Sequence, residues 1–159
     1  MSAVASAVSV HQQILTFQLD AQVFGVDILR VREIRGWSSV TAVPEAPAYV
    51  LGVLNLRGAI IPVIDLRARL GLASVASTAT TVIIVLTVMT ADGRRDYGLV
   101  VDAVSDVSDV QESDIRATPA GAGGCDGCSV PKLATLGERM VLLPDLDGMF
   151  ADKNTAFVV

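Results

Sequence analysis

Apolar residues along this chain fall in short runs of about five to eight, the length of a strand, and seldom at helical spacing. The clearest case is VLGVLNL at Val50–Leu56 and AIIPVIDL at 59–66, flanking the pair Arg57-Gly58. Two such runs around a short Gly-containing connection predict a hairpin, with Gly58 taking a positive φ. That places Arg57, the one charge at the end of the first run, at an exposed tip. Pro62 lies inside the second run and cannot donate to a ladder, so this strand is expected at an edge, at a strand start or at a bulge. An apolar edge strand invites pairing with another chain.

The remaining pattern extends the same reading. Residues 12–19 alternate, turn at Asp20-Ala21-Gln22, and return as a second strand over 23–28. The segment ILRVREI at 28–34 fits a strand or one helical turn equally well. A short strand over 40–43 is closed by Pro44 and Pro47. DLRARL at 65–70 reads as a short helix capped by Asp65 and stopped at Gly71. VIIVLTV at 82–88 is almost continuously apolar, as expected of a strand buried on both faces. A polar connection at 91–96 leads to a returning strand over 97–101. Val104, Val107 and Val110 recur every third residue, which predicts a strand with a bulge. A glycine-rich loop over 119–129 precedes a last pair of strands, 133–136 and 140–143, around Gly137-Glu138-Arg139, and 145–150 closes as a short helix.

The chain also resembles itself. FGVDILRVREI at 24–34 lies over YGLVVDAVSDV at 97–107, and VLGVLNLRGAIIPVIDL at 50–66 lies over VPKLATLGERMVLLPDL at 130–146. The offsets are 73 and 80 residues. Two similar units of about five short strands predict an all-β fold with short helices, built as two five-stranded barrels side by side. The expected layout is a flexible tail over 1–12, then one domain over 13–152. Within it lie a first subdomain at 13–72, a linker at 73–81, a second subdomain at 82–145 and a terminal helix at 145–151. A unit of roughly 60 residues is marginal alone, so the two should share an apolar core.

Composition narrows the function. Of 159 residues, 52% are apolar and 18% charged, and aromatics are scarce, so the core must be Val, Ile, Leu and Ala. A net charge of −5 argues against a phosphate-tracking nucleic-acid binder. No apolar run is long enough to span a bilayer, and the first residues lack the features of a secretory signal, so a cytoplasmic location is expected. There is no GxSxG, P-loop or GxGxxG motif and only one histidine, His11, which predicts a protein that is not an enzyme and needs no cofactor or metal. Asp27 and Asp65 read as caps. Cys125 and Cys128 form a single CxxC, too few ligands for zinc and placed in a loop rather than at a helix start. They read either as two loop thiols or as a reversible disulfide, which would make the protein a thiol-redox-responsive regulator.

Glu33, in VREI, and Arg57 are expected to face each other across the first barrel. As a surface ion pair they would contribute about 0.2–1 kcal/mol. As an interface anchor, Arg57 would cost about 2 kcal/mol of binding when truncated. Composition leaves both open.

VREI at 31–34, PEAPAYVLGVLNLRG at 44–58 and IPVIDLRARLGL at 61–72 resemble CheW, the coupling-protein family of bacterial chemotaxis. The likeness continues through YGLVVDAVSDV and through LGERMVLLPDLDGMF at 136–150. It implies two SH3-like five-stranded barrels on a common core. It also implies a non-catalytic adaptor, a monomer in isolation, linking the regulatory domain of the histidine kinase CheA to the cytoplasmic tips of methyl-accepting chemoreceptors. Such a protein reaches membrane receptor arrays through its partners. By the same resemblance the receptor-facing groove uses Glu33 and Arg57, lined by Val31, Ile34 and Leu54, while no kinase-binding residue is assigned. Pro131, Lys132 and Pro144 depart from the family pattern around the last hairpin.

Overall fold

The computed structural model describes residues 11–73, 77–90, 93–119 and 130–150. Eleven strands and two short α-helices form among them. The strands are β1 (His11–Leu19), β2 (Gln22–Asp27), β3 (Val31–Gly36), β4 (Val50–Leu56), β5 (Ala59–Asp65), β6 (Val82–Thr90), β7 (Gly93–Val101), β8 (Ala103–Gln111), β9 (Ile115–Ala117), β10 (Lys132–Leu136) and β11 (Arg139–Leu143). The helices are α1 (Leu66–Arg69) and α2 (Leu146–Met149). Two sheets result, in the orders β8-β1-β2-β11-β10-β9 and β3-β6-β7-β5-β4.

The internal repeat explains both orders. The 73-residue offset carries β2 and β3 onto β7 and β8, and the 80-residue offset carries β4, β5 and α1 onto β10, β11 and α2. With β1 matched to β6, the order β8-β1-β2-β11-β10 becomes β3-β6-β7-β5-β4, which is the second sheet. The parallel pairs β2/β11 and β5/β7 correspond as well. The sixth strand, β9, has its counterpart in the Thr41–Val53 bridge beside β4, so one sheet has six strands where five were expected. The sheets do not follow the 13–72 and 82–145 halves. Each draws strands from both sides of the 73–81 linker, because the β2–β3 and β7–β8 links are short and carry the chain from one sheet to the other.

Several local expectations are refined. Residues 28–34 are both alternatives in turn, a 3-10 turn over Ile28–Arg30 followed by β3. Asp27 and Asp65 are caps, their Oδ1 atoms accepting from the Leu29 and Arg67 amides at 2.9 and 3.1 Å. The bulge on β8 is present, with the β1 register shifting between Leu15 and Phe17 opposite Val107 and Val104. In contrast, β5 is an interior strand. Pro62 lies one residue before its parallel ladder to β7 begins at Val63, so that ladder asks no donor of it. Residues 40–43 form only the Thr41 bridge, whose carbonyl lies so close to Gly52 that a Cβ there would collide with it. β7 starts at Gly93, taking 93–96 out of the expected connection. His11 and Gln12 belong to β1 rather than to a tail, and residues 1–10 lie outside the described residues. The last hairpin forms between Pro131 and Pro144, its strands starting after one and ending before the other.

Three apolar clusters hold the two sheets. Ile14, Val110, Ala134 and Val141 fill the six-stranded barrel, and Ile61, Val63, Ile83 and Val85 fill the five-stranded one. The largest lies between them and takes Phe17, Leu19 and Phe24 from one sheet and Ile64, Leu86 and Leu99 from the other. β6 shows the arrangement in one strand: Ile83 and Val85 face the small cluster, Ile84, Leu86 and Val88 the shared one. Tyr97 of β7 stacks on Phe150 beyond α2, centroids 4.5 Å apart, which adds an aromatic contact between the barrels.

Candidate functional site

The two-residue turn between β4 and β5 has φ of 54° at Arg57 and 89° at Gly58, the paired positive values of a type I′ hairpin. Asn55 fixes it, its Oδ1 accepting from the Gly58 amide at 3.0 Å. Arg57 therefore stands on a tip with its side chain 81% exposed. Its Nη1 donates to Glu33 Oε1 at 2.9 Å, while Arg35 Nη1 donates to Glu33 Oε2 at 3.3 Å. The Glu33 carboxylate is shared by two guanidinium groups, and the hydrogen bond from Arg57 holds its pKa below the ordinary range.

β3 and β4 are the opposite edges of the five-stranded sheet, so this ion pair spans the seam where the barrel has no backbone ladder. Glu33 and Arg35 pair with Val85 and Ile83, and Leu54 pairs with Ile61, which puts all three on the face of the small inner cluster. Val31 and Ile34 are placed differently. They pair with Leu86 and Ile84, on the face of the shared core. Ile34 faces away from Glu33 by ordinary strand alternation, and a register shift between Val31 and Glu33 puts Val31 on that opposite face as well, so the five expected residues divide between two faces. Val31 packs against the shared core, whereas Ile34 remains 45% exposed.

Arg35 and Asn55 were not among the expected site residues, although both left a signal. Arg35 follows Glu33 by two positions, the spacing that puts strand residues on one face. Asn55 precedes the turn at the place from which a short side-chain oxygen reaches the backbone. Among the described residues no cluster of His, Cys, Asp and Glu can hold a metal ion. Cys125 and Cys128 lie outside the described residues.

Comparison with known proteins decides the family. Residues 13–154 match the CheW-like domain. The chain belongs to the CheW family. It is 43% identical over 143 residues to "Chemotaxis protein CheW" of Rhizobium meliloti (strain 1021), covering 90% of each chain. It is 39% identical over 150 residues to the protein of the same name from Klebsiella aerogenes, covering 94% of this chain and 88% of that one. The solved scaffolding protein TtCheW from Thermoanaerobacter tengcongensis superposes with a TM-score of 0.78 at 31% identity, covering 90% of this chain and 94% of that one. The CheW fold of that structure matches the two-sheet, mostly β architecture described above. No helix among the described residues is long and apolar enough to cross a membrane.

Proposed function

We propose that this CheW-family chain is a non-catalytic adaptor that couples methyl-accepting chemoreceptors to the histidine kinase CheA. The observation that carries the proposal is the Glu33–Arg57 pair across the seam of the five-stranded barrel. A guanidinium 81% exposed on a rigid type I′ tip contributes little to folding, yet it is positioned for a carboxylate or carbonyl of a docking helix. Arg35 keeps Glu33 partnered when Arg57 turns to another acceptor. Leu54 beside the pair supplies apolar contact, with Val31 and Ile34 on the adjoining face of β3.

The kinase's regulatory domain would meet the barrels elsewhere. Ile60 and Met140 occupy equivalent places on the hairpins β4–β5 and β10–β11, and both are about half exposed. Apolar residues repeated at matching points of both barrels suit barrel-to-barrel contact. The relatives' names support a role in chemotaxis, and no observation favours the redox reading of Cys125 and Cys128.

Titration of the purified chain with a chemoreceptor cytoplasmic fragment tests the receptor face. Arg57→Glu should abolish binding while circular dichroism stays that of the parent. Retained affinity in a folded Arg57→Glu variant would remove this site from the reading.

A further inference from the structure

Among the described residues the chain passes between the sheets twice, through Ile28–Arg30 from β2 to β3 and through Asp102 from β7 to β8. Each link carries one half of a two-pronged ion pair. Arg30 donates from Nη1 and Nη2 to Asp147 Oδ1 and Oδ2 at 2.8 and 2.7 Å. Arg67 donates from Nε and Nη2 to Asp102 Oδ1 and Oδ2 at 3.0 and 2.7 Å. Arg67 and Asp147 are the second residues of α1 and α2 and correspond under the 80-residue offset. The helix members are thus equivalent by position and opposite in charge, while on the links Asp102 lies over Leu29, one residue from Arg30, under the 73-residue offset.

Both reach across to the other barrel. α2 follows β11 of the six-stranded sheet, and Asp147 Oδ1 accepts the Met89 amide of β6 at 2.8 Å, while Arg30 Nη1 donates to the Thr87 carbonyl at 3.2 Å. α1 follows β5 of the five-stranded sheet, and Arg67 Nη1 donates at 3.2 Å to Asp20 Oδ1, in the β1–β2 turn of the other. The Asp20 amide in turn donates to Asp102 Oδ2 at 2.9 Å.

We infer that these two ion pairs are latches on the inter-barrel links and set the angle between the barrels. The shared apolar core drives the barrels together, but apolar burial is non-directional. A planar guanidinium on both oxygens of a carboxylate fixes direction as well as distance. The Asp102, Asp147 and Arg30 side chains are each about one-third exposed, so water competes for the pairs and the latches can open without unfolding either barrel. Opposite polarity also enforces the pairing. If the helices exchanged links, Arg67 would face Arg30 and Asp147 would face Asp102, a repulsive arrangement at both ends.

The test measures the distance between spin labels on the two barrels in the full chain. Cysteines replace Ile60 and Met140, equivalent exposed positions, after Cys125→Ser and Cys128→Ser. The parent should give one narrow distance distribution by pulsed electron resonance. Asp102→Asn and, separately, Arg30→Gln should widen it about twofold, the signature of a hinge set free. The exchanged pair Arg67→Asp with Asp102→Arg should narrow it again. Either single variant suffices should the other fail to fold. A distribution that stays as narrow as the parent's in a folded single variant overturns the inference, as does an exchanged pair that folds but stays broad.

Discussion

Glu33 and Arg57, separated by 24 positions, meet at 2.9 Å across the open edges of the five-stranded sheet. β3 brings one, the β4–β5 turn brings the other, and no backbone ladder joins those two edges. The pair closes the seam at a point where Arg57 remains largely in water. Its worth to folding is correspondingly small, and in the proposed receptor site its worth to recognition would be the larger quantity.

That separation of roles is measurable. Arg57→Ala should change unfolding free energy by no more than about 0.5 kcal/mol, as exposed surface substitutions do. The same variant should lose binding to the receptor fragment by tenfold or more, about 1.4 kcal/mol. Denaturant melts and calorimetric titration on one preparation check both numbers.

The turn that presents Arg57 is itself a target. Gly58 has φ of 89°, so Gly58→Ala should destabilise the protein by about 1 kcal/mol. Because the strain falls on the tip, receptor binding should weaken with it. A neutral urea midpoint would contradict the turn geometry.

β6 should respond to truncation on both faces. Ile83→Ala opens the small inner cluster and Ile84→Ala the shared core, and each should cost about 2–5 kcal/mol. A strand with one solvated face would show one large and one negligible loss.

Acid stability should track the latches. Hydrogen bonds from Arg67 and Arg30 hold the Asp102 and Asp147 carboxyls below their ordinary range. Folded pKa values lie below unfolded ones, so this contribution is full above the unfolded value of about 4 and disappears as pH falls through the folded values. Urea midpoints measured down the acid range should decline less steeply for Asp102→Asn than for the parent.

Much of this architecture is written locally in the chain. The runs around Arg57-Gly58, the continuous apolar stretch of β6 and the capping aspartates each specify their element by a short-range rule. The repeat at 73 and 80 residues also announces two equivalent units. It does not say which copies pair, because strand partners are chosen by packing across the shared core, and so the exchange of strands between barrels was not legible. Pro62 misleads for the same reason: its missing donor is accommodated by where the β7 ladder begins. Glu33 and Arg57 were legible as a pair, and Ile34, next to Glu33, faces the other way by plain strand alternation, but the shift at Arg32 that turns Val31 to that same face depends on the register with β6. The Arg67 and Arg30 pairs are long-range contacts between residues that local patterns treat as solvated charges.

The coupling claim is tested most directly by reconstitution. The chain, the CheA kinase and a chemoreceptor fragment are combined singly, in pairs and all together, and kinase autophosphorylation is followed. Activity rising only in the three-part mixture, and not with Arg57→Glu, is the predicted result. A chain that binds neither partner at tens of micromolar, or a mixture whose activity ignores its presence, would contradict the account.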